Sequence, residues 1–271
     1  PMSRGLGDVY KRQIKHRVFR LPMLSRAPHN HTVTDDDAKA NVLLLGNPTD
    51  DLPETLQEIS EINDILFAAK ERVTYRAIYG KHITTIHLQE LLAGQNFQLI
   101  HYAGHATPQG LVLERGLFGL DDIRRSIVNH PIVVLNACAT VQSAEGAQDL
   151  SETVRGTRSV ASAFIEAGAK AVVGMLWDIP DAASRLFAET LYRYLVAGEV
   201  IGNALRLTRV QMRELEPESI SWLAPVLYGN PWERPFPTTF RESTGSLIAL
   251  RFTGPLSGDD GDISTGAHTQ L

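Results

Sequence analysis

Five short and nearly continuous apolar segments punctuate this chain. They are Val42–Leu45, Phe97–Ala103, Pro131–Ala137, Ala171–Trp177 and Trp222–Tyr228. Apolar runs of this length, without polar alternation, are typical of strands that are buried on both faces. Segments with the apolar spacing of helices lie between them, as at 181–196 and 201–215. Alternating strands and helices predict an α/β fold, a three-layer sandwich with a mainly parallel central sheet.

The remaining elements follow from the same patterns. Asp51, with Glu54 three residues later and Pro53 between them, predicts a helix start. We further expect a strand at about 73–79, helices near 84–93, 120–128 and 157–167, and a small hairpin within 111–118.

Composition limits the classes of function. A chain of 271 residues with 43% hydrophobic content can bury one sizeable core. A net charge of −5 gives no electrostatic footprint for nucleic acid. The single cysteine excludes an intrachain disulfide and suits a reducing cytoplasm. No apolar run approaches the roughly 18 residues that span a bilayer, so we expect no direct contact with nucleic acid or membrane.

Both ends of the chain differ from its middle. Residues 1–38 lack sustained apolar periodicity, and their first 13 resemble translated sequencing-adapter read-through, so we expect a disordered or non-native leader. Residues 39–236 carry the regular pattern and form the predicted domain. Residues 237–271 end in a stretch rich in Gly, Ser and Asp, which predicts a largely disordered extension.

Two chemically active side chains follow predicted strands. His105 comes directly after Phe97–Ala103, and Cys138 directly after Pro131–Ala137. The carboxyl ends of parallel strands meet at the edge of a sheet where ligands and chemistry usually collect. The chain between the two strands is long enough for a parallel crossover that places them side by side.

This pair suits nucleophilic catalysis. A thiol near neutral pH is mostly protonated, so a catalytic cysteine needs a neighbouring base such as His105. Cys138 would then attack a peptide carbonyl, and His105 would pass the proton to the leaving amine. The oxyanion would lie against the backbone N–H groups of Cys138 and of Ala106 or Gly104.

Structural explanations stay open for both side chains, since free cysteine is commonly buried as a small hydrophobe. His101 and His105 have a spacing that suggests a metal pair. On an extended strand, however, they lie about 13 Å apart, too far to share one zinc. We therefore expect His101 to be packed or to support the site, and we expect no metal or organic cofactor.

Two motifs carry a family resemblance: His-Tyr-Ala-Gly-His-Ala at 101–106 and Leu-Asn-Ala-Cys-Ala-Thr at 135–140. Together with segments 159–169, 174–181 and 222–229 they resemble the CHAT family of caspase-like peptidases, over roughly residues 41–232. The resemblance implies a caspase/hemoglobinase-like fold with His105 and Cys138 as the catalytic dyad. Ala139, where the family often has Glu, and Ala106, where Gly is frequent, depart from its pattern.

Substrate contacts are expected from loops at the same sheet edge. The candidates are Asn47, Asn136, Trp177 and Asp178. Asp178 and the acidic residues of the polar segment 139–156 outnumber the nearby basic residues, which favours a basic side chain before the cut. Segment 139–156 is also long for a connection and is a natural place for a switch.

The expected function is a cysteine endopeptidase that cleaves proteins or peptides. The resemblance further implies a regulated effector of a prokaryotic defence or signalling system, coupled to a TPR-like sensor protein. Two alternatives stay open: a noncatalytic module of the same fold that binds proteins, and acyl-transfer or amidase chemistry on a small molecule. A closed pocket in place of an open groove would distinguish the latter.

Overall fold

The computed structural model describes residues 39–127, 129–137 and 159–236. All of them fall within one compact unit, Pro1–Thr239. The segments predicted as leader and extension lie outside the described residues, as do Cys138 and segment 139–156.

Strands and helices alternate as the apolar pattern predicts. The strands are β1 (Ala40–Gly46), β2 (Val73–Tyr79), β3 (Leu99–Ala103), β4 (Ala106–Thr107), β5 (Gly110–Leu113), β6 (Gly116–Gly119), β7 (Ile132–Asn136), β8 (Ala171–Met175) and β9 (Pro225–Gly229). The helices are α1 (Pro53–Ala68), α2 (Thr85–Gly94), α3 (Leu120–Ser126), α4 (Val160–Glu166), α5 (Asp181–Val196) and α6 (Ile201–Leu215), with 3-10 turns at Gly80–His82 and Ser221–Leu223.

Six of the strands form the central sheet, in the order β2-β1-β3-β7-β8-β9. Neighbouring strands are parallel from β2 to β8, and β9 pairs antiparallel with β8. The predicted mainly parallel sheet is therefore confirmed. The predicted hairpin is β5 and β6, which form a separate antiparallel sheet with β4.

The core has one layer on each face of the sheet. Alternation along β1 places Leu44 on the face covered by α1, α5 and α6, and its neighbours Leu43 and Leu45 on the face covered by α2, α3 and α4. All three leucines are almost fully buried. Burying a side chain of this size contributes about 1.5–3 kcal/mol, so the two layers together hold the three-layer sandwich.

The first helix begins where the sequence predicts, but with a different cap. The residue before Pro53 is Leu52, and no side chain caps the helix. The predicted helix start is therefore confirmed, but the Asp51 side chain does not cap it and makes other contacts.

The last strand also differs from its prediction. Trp222 and Leu223 lie in a 3-10 turn packed against the core, and β9 begins only at Pro225.

Candidate functional site

A crevice is expected between β1 and β3 because the chain leaves these neighbouring strands in opposite directions. The connection from β1 leads to the outer strand β2, whereas the connection from β3 leads towards β7 on the other side. In open α/β sheets, ligands bind outside the carboxyl ends of the strands at such a switch point. The two loops that diverge here carry Asp51 and His105.

Hydrogen bonds from β3 and β5 hold the backbone carbonyl of His105. Tyr102, on β3, is fully buried, and its hydroxyl lies 2.7 Å from the carbonyl oxygen of His105 and 2.8 Å from that of Val112. The N–H of Val112 also donates to the His105 carbonyl, at 2.9 Å. Burial raises the pKa of Tyr102, so the phenol remains a donor at physiological pH. These bonds fix the turn that presents His105.

The imidazole of His105 has a carboxylate partner. Its Nε2 lies 3.2 Å from Oδ2 of Asp51. Because a carboxylate only accepts hydrogen bonds, Nε2 carries the hydrogen and Nδ1 of the neutral ring is left as the base. Both side chains are well exposed, at 42% for His105 and 60% for Asp51, so the contact orients the ring more than it stabilises the fold.

The loop before α1 holds Asp51 in place. Asn47 is buried with a φ of 50°, and its side-chain oxygen accepts a hydrogen bond from the N–H of Leu52 at 2.9 Å. The hydroxyl of Thr49 donates to Oδ1 of Asp51. The pKa of Asp51 is lowered: the Thr49 hydrogen bond is the largest effect, desolvation opposes it, and the contact with His105 lowers the pKa further. Asp51 is therefore ionised at neutral pH.

Sequence reasoning assigned Asp51 to the helix start and Asn47 to substrate binding. The side chain of Asn47 is committed to its own loop, so its role in this structure is to shape the turn that carries Asp51. The signal in the sequence was only that an acidic residue follows β1 in a loop at the same sheet edge as His105.

Replacing Asp51 with asparagine tests whether this carboxylate orients the imidazole. For the peptide hydrolysis that the sequence predicts, the Asp51→Asn protein should lose about tenfold in kcat/KM, because its neutral side chain holds the ring less firmly. Asp50→Asn is the matched control, since Asp50 is next in sequence and pairs with Lys81 at 3.7 Å instead. Equal activity of both variants and the parent, in steady-state kinetics at neutral pH, would contradict the orienting role.

Gly104 is required by packing around the His105 turn. A Cβ at this position would lie 2.8 Å from Oη of Tyr102 and 2.9 Å from Cδ of Pro48. The small residue therefore lets the loops after β1 and β3 approach each other closely. Ala106, on the other side of His105, begins β4 and pairs with Leu111.

Asn136 is turned into the core. Its exposed fraction is 6%, and its Nδ2 donates to Oε1 of Glu58 at 2.8 Å and to the carbonyl oxygen of Ser184 at 3.2 Å. Both amide hydrogens are used inside the protein. We therefore revise the assignment of this side chain from substrate contact to a structural tie.

His101 is also part of this interior group. It is fully buried, and its Nε2 lies 2.8 Å from the same Oε1 of Glu58. The expectation that His101 is packed is confirmed.

Trp177 and Asp178 follow β8 at the same edge of the sheet. Trp177 is half-buried against the core, whereas Asp178 is exposed. Among the residues that the structure describes, the Asp178 carboxylate has no hydrogen-bond or ion-pair partner. A free carboxylate at this edge is available to a basic ligand.

The strand that leads to Cys138 lies next to the strand that leads to His105. β3 and β7 are parallel neighbours, and their last residues, Ala103 and Asn136, are paired. Cys138 itself lies outside the described residues, and Ala137, which is buried, is the last residue before it.

Within 39–127, 129–137 and 159–236, no three or more His, Cys, Asp and Glu side chains are grouped so as to hold a metal ion. In the same ranges, every helix is too short or too polar to cross a membrane.

Comparison with protein families gives one match. The family model described as "CHAT domain" matches residues 14–230, which is more than half of the chain. The match begins within residues 1–38, the segment predicted to be a disordered or non-native leader. No curated protein matches the chain.

Solved structures share the fold. A crystal structure of the Arg-specific cysteine proteinase gingipain R is similar, with a TM-score of 0.61 and 14% identity over 82% of this chain and 52% of that one. A complex of Porphyromonas gingivalis RgpB pro- and mature domains gives a TM-score of 0.58 and 15% identity over 78% and 52%. The Saccharomyces cerevisiae separase–securin complex gives 0.51 and 17% over 71% and 12%.

The matched region is therefore about half of the two gingipain chains and a small part of the separase chain. These similarities show that the chain has the fold of caspase-like cysteine peptidases.

Proposed function

Because this chain belongs to the CHAT domain family, we propose that it is a cysteine endopeptidase with Cys138 as the nucleophile and His105 as the proton carrier. The observation that carries the proposal is the held imidazole of His105. Its Nε2 is engaged by Asp51 at 3.2 Å, and its Nδ1 is left for proton transfer at the edge of the sheet.

The positions of the two residues along neighbouring strands support the pairing. Ala103 and Asn136 are paired as the last residues of β3 and β7, and His105 and Cys138 each follow two positions later in the sequence. Strand neighbours lie about 4.8 Å apart. The equal offset from a paired position supports the proposal that the two side chains meet at this edge of the sheet.

The reaction uses this arrangement in two halves. In the first, the Cys138 thiol gives its proton to Nδ1 of His105 and the sulfur attacks the peptide carbonyl carbon. The carbon–nitrogen bond then breaks as His105 passes that proton to the leaving amine. In the second half, water adds to the thioester with His105 as base, which releases the carboxylic acid and restores the thiol.

Backbone N–H groups at the strand ends would stabilise the negative oxygen of each tetrahedral intermediate. We assign this role to the N–H groups of Cys138 and of Gly104 or Ala106. Gly104 packs closely against Tyr102 and Pro48, and the Tyr102 hydroxyl hydrogen-bonds the carbonyl of the next residue, His105, which supports a preformed backbone at this turn. Donors that need no reorganisation are the effective ones in such a site.

We propose that the residue before the cut is basic. Asp178 offers an exposed and unpaired carboxylate within the described residues, close in topology to the β7 end because β8 pairs with β7. A structural relative at low identity is named as an Arg-specific proteinase. A basic side chain would gain a charge-assisted contact with this carboxylate.

A cleavage profile over an unbiased peptide library tests the proposal. The parent protein should cleave after Lys or Arg, and Asp178→Asn should lower kcat/KM on those peptides by about tenfold. Asp64→Asn, which removes an exposed acid on α1, is the matched control and should change nothing. Cleavage with no preference for a basic residue, or with the same preference in Asp178→Asn, would overturn the specificity.

A chemical probe distinguishes the proposed enzyme from a noncatalytic binding module. An electrophilic peptide should label the parent at Cys138 under reducing conditions. A correctly folded protein whose thiol ignores the probe, and which cleaves no peptide, would be a binding module. The 42% exposure of the His105 side chain supports an open groove for a polypeptide over a closed pocket for a small molecule.

Control by a partner protein also belongs to this proposal. The separase relative was solved as a complex with securin. A TPR-like sensor that switches this domain within a prokaryotic defence or signalling system is the partner that the family resemblance implies.

A further inference from the structure

Three polar side chains from three elements meet inside the core beneath the candidate site. They are Glu58 on α1, His101 on β3 and Asn136 on β7, with exposed fractions of 3%, 0% and 6%. Nε2 of His101 and Nδ2 of Asn136 each lie 2.8 Å from the same atom, Oε1 of Glu58. We call these three residues the Glu58 cluster.

The sheet register explains why the cluster forms. His101 and Ala103 face the same side of β3, and Ala103 is paired with Asn136. His101 and Asn136 therefore lie on one face, the face that α1 covers, and Glu58 is among the buried residues of that helix. One oxygen of the Glu58 side chain therefore has both His101 and Asn136 as hydrogen-bond partners, and polar groups buried at this depth need such partners.

Apolar residues would serve the fold at least as well. The residues paired with His101 are Leu44 and Val134, and both lie in the apolar core. Replacing buried charged groups by apolar side chains of similar volume is often neutral or stabilising. The cluster is also incompletely satisfied, because within the described residues Nδ1 of His101 is buried without a hydrogen-bond partner.

The cluster ends at the chain segment that delivers the nucleophile. Asn136 is the last residue of β7 and precedes Cys138 by two positions. Its two amide hydrogens reach Glu58 on α1 and the Ser184 carbonyl on α5, so the strand end is tied to two helices. A displacement of about 1 Å at a reacting group can reduce the rate about 100-fold.

We propose that Glu58 is a positioning residue for the nucleophile, acting through Asn136 to fix the end of β7 from which Cys138 follows. His101 holds the Glu58 carboxylate in the orientation that Asn136 needs. This inference rests on the proposed function and adds to it a determinant placed in the core, away from the substrate.

A double-mutant cycle tests the inference. Glu58→Met removes the acceptor at similar volume, and Asn136→Leu removes the donor. Each should lower kcat for peptide hydrolysis about 10- to 100-fold with KM changed less than about twofold. The kcat of the double variant should be no lower than that of the less active single variant, because both changes break the same connection. Independent losses that multiply in the double variant would overturn the proposal.

Conservative and matched variants separate positioning from general damage. Glu58→Gln keeps an oxygen acceptor and should retain most of the parental kcat. Thr208→Val removes another buried hydrogen bond, from Thr208 to the Ala204 carbonyl on α6 at 2.8 Å, and should leave kcat unchanged. Equal losses in Glu58→Gln and Glu58→Met, or a comparable loss in Thr208→Val, would overturn the positioning role.

Alkylation of the chain's only cysteine gives a readout that does not need peptidase activity. The rate of iodoacetamide modification at neutral pH should fall several-fold in Glu58→Met and Asn136→Leu, but not in Thr208→Val. If the parent cleaved no peptide while these rates still differed, the proposed function would fail and the positioning would stand. If the parent cleaved peptides and the rates were equal, only the positioning would fail.

Discussion

Replacing Cys138 with alanine should abolish peptide hydrolysis, lowering kcat/KM by about 10⁴-fold or more. The reason is that the attacking sulfur is removed, and the remaining hydrogen-bond donors alone give only a small residual rate. The measurement is cleavage of the best library peptide by the parent and by Cys138→Ala, at equal protein concentration and with matched thermal unfolding.

Cys138→Ser gives the same prediction with a smaller change in the side chain. A serine hydroxyl has nearly the same shape but is a far weaker nucleophile in a site arranged for a thiol. Activity of either variant equal to that of the parent would refute Cys138 as the nucleophile, and with it the peptidase mechanism proposed here.

Replacing His105 with alanine should lower kcat/KM by about 10²- to 10⁴-fold, the range that a general acid–base usually contributes. The pH profile should change as well, because the proposed acceptor of the thiol proton is removed. Alkylation of Cys138 should then rise with pH as for an ordinary thiol, which titrates near pH 8.5. Steady-state kinetics and alkylation rates between about pH 5 and 9 would measure both effects.

His87→Ala is the matched control for the His105 variant. His87 lies on α2, and its Nδ1 contacts the carbonyl oxygen of His82 at 3.0 Å. Its loss should leave both the rate and the pH profile unchanged. A His105→Ala protein with the parental pH profile would remove His105 from the mechanism while leaving Cys138 in place.

The sheet was predictable because its signal is local and strong. β2, α5 and α6 have the predicted bounds, and β1, β3, β7 and β8 lie within the predicted apolar segments or extend them slightly. The parallel neighbours β3 and β7 also follow from the length of chain between them. Only the last strand shifted, because Trp222 and Leu223 can fill the core from a 3-10 turn as well as from a strand.

The site was less predictable because its contacts join residues that are distant in sequence. His105 is recognisable from its place after a strand, but Asp51 is connected to it only through the neighbouring loop after β1. Asn136 is the last residue of β7, and the alternation of side chains along this strand turns it inward to Glu58.

The sequence by itself determined the three-layer α/β architecture and the two strand ends that present His105 and Cys138, since apolar periodicity and motif order are properties of the chain alone. The tertiary structure decided which carboxylates form hydrogen bonds near those strand ends. Asp51 contacts the imidazole of His105, and Glu58 accepts a hydrogen bond from Asn136. The physical reason is that a carboxylate oxygen accepts a hydrogen bond only from a donor that lies within about 3 Å. That distance is set by sheet register and helix packing, which no local pattern encodes.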